Sequence, residues 1–172
     1  MSVSYVSCIF VCVKQLQQLS KAAILKIPIS VLVVIYKSNG EVLLIERADR
    51  ANFWQSVTGS LDFLEENLSL AASREVLEET GIDIAALPPE ALQDMHHQIE
   101  YEIYPQWRYR YAPGVTRNTE HWFSLGVPDN IDITLAPREH IAYQWLPYRE
   151  AAEKCFSPSN GQAILKLFSA RQ

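Results

Sequence analysis

The stretch "GSLDFLEENLSLAASREVLEETGI", residues 59–82, sets six acids against a single base, Arg74, between Gly59 and Gly81. Asn67 or Ser69 offers an N-cap, and Gly81 stands where a left-handed C-cap belongs, so the run between them predicts a helix. Leu70, Ala72, Val76 and Leu77 form its expected buried stripe. On that helix Glu78 lies about 60° to one side of Glu75 and Glu79 about 40° to the other. Three carboxylates therefore share one face, where each like-charged i,i+4 pair costs an isolated helix about 0.2–0.5 kcal/mol. Arg74 can offset part of this by pairing with Glu78. A hard divalent cation, which takes oxygen ligands, is one partner that would neutralise the remainder. A solvated acidic face is the alternative, although such faces usually interleave lysines.

The acidity is local. The 172-residue chain has a formal charge of -5, and residues 59–81 alone carry that much. With 48% hydrophobic and 20% charged residues, composition argues for one globular domain and against disorder or repeats. A net negative chain is a poor prior for a nucleic-acid partner. Cys8, Cys12 and Cys155 show no zinc spacing and read as reduced thiols of a cytoplasmic protein. The uncharged run "SVSYVSCIFVCV" is too short to span a bilayer, and Lys14 follows it instead of preceding it as in a secretory signal. Residues 1–25 are expected to be an extension of unknown role, whether an added strand, a flexible tail or a mistaken start, ahead of a domain over 26–172.

Beyond the helix, "ISVLVVIY" (29–36) and "EVLLIER" (41–47) read as a hairpin turned at Asn39-Gly40. "FWQSVTGS" (53–60), "EHWFSLGVP" (120–128) and "AYQWLPY" (142–148) read as strands, and "GQAILKLFS" (161–169) as a helix. The alternation in "QIEYEIYPQWRYRYAP" (98–113) predicts extended strands, with Trp107, Tyr109 and Tyr111 facing away from Arg108 and Arg110. Strands and helices mix without regular alternation, which points to an α+β fold with a mixed sheet covered by helices.

Residues 59–82 resemble the Nudix box: glycine, five residues, glutamate, seven residues, then Arg-Glu-hydrophobic-any-Glu-Glu-any-Gly-hydrophobic. Arg74, Glu75, Val76, Glu78, Glu79, Gly81 and Ile82 match every specified position of its second half. The first half departs by one residue inserted in "SLDFLE", which leaves Glu66 in the box position counted from Arg74, with Glu65 as the alternative. "PISVLVVIY", "FWQSVTGS", "RYRYAPGVTRNTE" and "EHIAYQWL" extend the resemblance to the branch of the family that acts on dihydroneopterin triphosphate in folate biosynthesis.

This resemblance implies an α/β/α sandwich and a pyrophosphohydrolase that releases pyrophosphate from a small-molecule triphosphate, with (deoxy)nucleoside triphosphates such as dATP as alternative substrates. A non-catalytic binding module is the reading from another class, weakened by the complete glutamate set. It implies Mg²⁺, or Mn²⁺, held by Glu75, Glu79 and Glu139 with Glu78 assisting, and Arg74 orienting a glutamate. One of these glutamates, or another outside the box, would serve as general base. Lys26, Arg47, Thr58, Tyr101, Glu102, Ile103, Tyr104 and Ser157 are the implied substrate contacts. No role is expected for His96 or His97, and His140 is expected to be structural or exposed.

Overall fold

The computed structural model describes residues 25–170. The expected extension over 1–25 therefore lies, apart from Leu25, outside the described residues.

Strand β1 (Ile29–Lys37) organises the molecule because both of its faces are apolar. Val31, Val33 and Ile35 point into one core, while Leu32 and Val34 point into another on the opposite face. A strand with a period of two and no polar side must be central, and β1 is central. It pairs in parallel with β6 (Arg117–Val127) over nine residues and antiparallel with β4 (Val57–Ser60). The sheet runs β3-β2-β1-β6-β5, with β4 joined to β1 and β7 (His140–Pro147) joined to β2 (Glu41–Arg47). Strands β3 (Trp54–Gln55) and β5 (Leu92–Glu102) form its edges.

The first core lies under helix α1 (Leu68–Thr80) and the second under α2 (Tyr148–Lys154) and α3 (Pro158–Ser169). Helices thus cover both faces of a mixed sheet, as the α+β, three-layer expectation requires. Among the described residues no helix is long and apolar enough to cross a membrane.

Several local expectations are corrected. The Asn39-Gly40 turn is present, with Gly40 at φ 87°, but β1 and β2 pair only at Tyr36 and Val42 before separating. Each strand meets longer partners beyond that point, β6 and β4 for β1 and β7 for β2, so tertiary pairing overrides the hairpin. The segment 98–113 is not a run of strands: β5 ends at Glu102 and Pro105–Arg110 is a 3₁₀ helix. Pro105 at its first turn suits a helical start and offers no N–H to a ladder. The facing pattern expected for 107–111 is lost with the strand. Tyr109 is exposed, and Arg108 turns back onto the Ile103 carbonyl and Glu102.

Helix α1 is capped as expected, by Asn67 Oδ1 on the Ser69 and Leu70 amides and by Gly81 at φ 72°. Its buried stripe is narrower than expected. Ala72 and Val76 are buried, but Leu70 and Leu77 are mostly exposed, and Ala71, Glu79 and Thr80 are buried instead. Leu70 and Leu77 sit about 120° and 100° round from Val76, too far to reach the sheet. The flank that would have widened the stripe is occupied by the glutamates.

Candidate active site

A cleft of about 970 Å³ runs along the sheet, lined by α1, β4, the end of β5, the 3₁₀ segment, the start of β7 and the N-terminus of α3. It takes in Lys26, Arg47, Thr58, Gly59, Arg74, Glu75, Glu78, Glu79, Tyr101, Glu102, Ile103, Tyr104, Glu139 and Ser157. Glu66, the glutamate of the first half-box, stands outside this lining.

Glu66 acts one step back. Its carboxylate takes Arg74 Nε at 3.1 Å and Nη2 at 3.2 Å, and also accepts the Asp62 amide at 2.7 Å. Glu65 is exposed and takes no part. The inserted residue is absorbed by a turn closed by the Glu66 amide on the Phe63 carbonyl, with Phe63 and Leu64 projecting outward. The glutamate of the first half-box thus keeps its partner despite the altered spacing.

Arg74, anchored by Glu66 and the Ser60 carbonyl, places Nη1 2.7 Å from Glu75 Oε1. Its contact with Glu78 is longer, at 3.5 Å, and Glu78 is mostly exposed, so the expected i,i+4 pair is the weaker one. Burial draws the Arg74 pKa down, but the Glu66 and Glu75 hydrogen bonds outweigh it and the guanidinium stays charged.

Burial pushes Glu75 up to about 7; Arg74 opposes the rise, while repulsion from Glu79 and Glu78 adds to it. Burial also raises Glu79, which is 5% exposed, against the lowering influence of His140 and the Thr58 amide. Thr58 N–H donates to Glu79 Oε2 at 3.3 Å, whereas its hydroxyl is taken by Gln55.

His140 is buried, with Nε2 3.3 Å from Glu79 Oε1. That is ion-pair distance, yet neither ring nitrogen has a partner in hydrogen-bonding alignment. Donor atoms of Glu79, Glu139 and His140 all lie within 4.8 Å of one another. Buried carboxylates with raised pKa values, an exposed third carboxylate and an unaligned imidazole form a donor set that a divalent cation fits. The oxygen-rich face suits Mg²⁺ or Mn²⁺.

The remaining expected contacts divide. Lys26 is half-buried, its pKa lowered by burial and by Arg110. Arg47 lines the cleft but is held by Asp49 through two hydrogen bonds of 2.8 and 2.6 Å. Ser157 precedes α3 and bonds to Ser159. Ile103 is buried, and Glu102 pairs with Arg108. Tyr104 packs edge-on to Trp107 at 5.3 Å.

Other lining residues escaped the sequence reading. Phe53 and Phe156 stack at 4.0 Å although they are remote in the chain, and only folding brings them together. Arg138 adds positive charge to the walls beside Arg110, which the sequence reading places on an extended strand. Glu120 is buried at the cleft floor; its sequence signal is a lone acid on the inward parity of the apolar strand β6.

The family model described as the NUDIX domain matches residues 26–167. The chain belongs to the Nudix family. It is a Nudix hydrolase, and members of this family generally use a divalent metal. The chain is 47% identical to dihydroneopterin triphosphate diphosphatase of Escherichia coli K12 over 145 residues, covering 84% of this chain and 94% of that protein. The protein of the same name from Haemophilus influenzae is 41% identical, with 83% and 89% covered. The solved E. coli dihydroneopterin triphosphate pyrophosphohydrolase superposes with a TM-score of 0.74 at 48% identity, covering 81% of this chain and 94% of that one.

Proposed function

We propose that this Nudix enzyme hydrolyses dihydroneopterin triphosphate to the monophosphate and pyrophosphate. One continuous cleft carries the reading: it joins the glutamate cluster, the cations Lys26, Arg47, Arg110 and Arg138, and aromatic walls from Phe53, Tyr104, Trp107 and Phe156. A triphosphate needs cations along its length, and a flat bicyclic ring needs aromatic faces. The high identity to relatives of that name supports the same substrate.

Phosphoryl transfer depends mainly on positioning and charge neutralisation. Mg²⁺ or Mn²⁺, held by Glu75, Glu79 and Glu139 with Glu78 at the rim, would supply electrostatic stabilisation of the phosphate oxygens and acidify a water. The protein keeps those carboxylates in place. Arg74 fixes Glu75, the Thr58 amide holds Glu79, and the Glu139 carbonyl is tied to the Ala48 amide. Lys26 and Arg110 stand together on the wall, joined through the Lys26 amide and Arg110 carbonyl, and offset triphosphate charge.

The test is kcat/KM over a panel containing dihydroneopterin triphosphate, dATP and the other common nucleoside triphosphates, with products separated by chromatography. The pterin should lead and pyrophosphate should be the released product. A nucleotide ahead by tenfold, about 1.4 kcal/mol in transition-state binding, would replace the pterin as substrate.

A further inference from the structure

The floor of the cleft holds a carboxyl that stands outside the box glutamates and Glu139. Glu120 on β6 is 3% exposed yet lines the cleft. Its Oε1 accepts the Trp122 indole N–H at 3.1 Å, and the Ser159 hydroxyl lies against the same carboxyl. Among the described residues no lysine, arginine or histidine pairs with it. Burial pushes the Glu120 pKa up against the lowering influence of Trp122 and Ser159, so holding the ionised carboxylate there calls for further donors.

Further polar groups pack beside it. On the same face of β6, Asn118 donates to Ser30 Oγ at 2.7 Å and leaves its own buried Oδ1 without an aligned donor. The Tyr101 phenol, kept neutral by burial and by Glu120, closes the group. Side walls of aromatic rings and a floor that presents a buried carboxyl with no cation beside it suit a flat heterocycle with N–H groups on one edge.

We propose that Glu120 is the specificity-determining residue of the cleft, its carboxylate accepting the N–H donors on the 2-amino-4-oxopyrimidine edge of the substrate's ring. The assignment rests on the pterin reading of the site. Stacking alone discriminates poorly among flat rings. A buried acceptor left unmatched penalises any ring that lacks the donor.

The experiment compares dihydroneopterin triphosphate with its 2-oxo analogue, in which the amino donor becomes a carbonyl acceptor. The unmodified protein should favour the amino ring by at least about tenfold in kcat/KM. In Glu120→Gln, which keeps an acceptor for Trp122 but turns an N–H₂ toward the ring, kcat/KM for the amino ring should fall by at least about tenfold, mostly through KM, and the preference should shrink to about threefold or less. Inhibition by inorganic pyrophosphate, which has no ring, should be unchanged. Equal losses on both rings, or a preference retained in the variant, would overturn the assignment. If the variant does not fold, the unmodified protein decides: a preference of tenfold or more upholds the ring-edge contact, and equal kcat/KM for the two rings overturns it. No turnover of dihydroneopterin triphosphate beside turnover of another triphosphate would overturn the functional reading and this assignment together; turnover without discrimination would overturn this assignment alone.

Discussion

The carboxyl carbon of Glu75 stands 1.7 Å from the point where a β-carbon on Gly59 would lie. Gly59 is not in a left-handed conformation, so its requirement is space and not backbone freedom. The strand must pass beneath the helix closely enough for the glutamate to lie over bare backbone. Arg74 at 2.7 Å holds that carboxylate in place, so moving it aside means giving up the ion pair.

Gly59→Ala should therefore leave a folded protein whose Glu75 is displaced. Turnover should fall by about 10–100-fold, the range for losing the support of a metal ligand. Steady-state kinetics alongside circular dichroism checks this; full activity would mean that Glu75 tolerates displacement.

Glu79→Gln keeps size and helix propensity but removes a buried negative charge. Turnover should drop by at least about a hundredfold. Thermal unfolding without metal should show equal or greater stability, because burial disfavours the charge in the parent. Near-normal turnover would remove Glu79 from the ligand set.

Stability of the metal-free protein should fall with rising pH. Glu75 has a folded pKa of about 7 against an ordinary value of 4.5, and Glu79 shifts in the same direction. A raised carboxyl pKa favours the folded state below the ordinary value, and that contribution is lost as pH climbs through the folded one. Melting temperature without metal should decline between pH 4.5 and about 7, and Mg²⁺ added at the upper end should restore it. A flat profile, or no rise on adding Mg²⁺, would contradict a metal-neutralised cluster.

Removing residues 1–24 should leave turnover and melting temperature unchanged, since the apolar pattern of the domain and the family match both begin near Lys26. Failure of the shortened chain to fold would show that the N-terminal segment contributes structure.

The glutamate-bearing helix was already legible in residues 59–82, because capping and the helical repeat are local properties, and the Nudix assignment came from the resemblance of that stretch to the family's box. Asn67, Gly81 and the three glutamates of α1 take their places from backbone geometry alone. The two-sided burial of β1 was equally local, written as an unbroken apolar run. What depended on tertiary structure was every relation between distant segments. Pairing with β6 and β7 shortened the hairpin, and packing against one side of the sheet left Leu70 and Leu77 outside. The Glu79–His140 approach, the Phe53–Phe156 stack and the place of Glu120 at the cleft floor join segments of chain that no periodicity connects. Sequence determines which groups a short segment can present on one face; only the assembled sheet and its two helical layers decide which distant groups share a low-dielectric space, where charge and hydrogen bonding are strong enough to do chemistry.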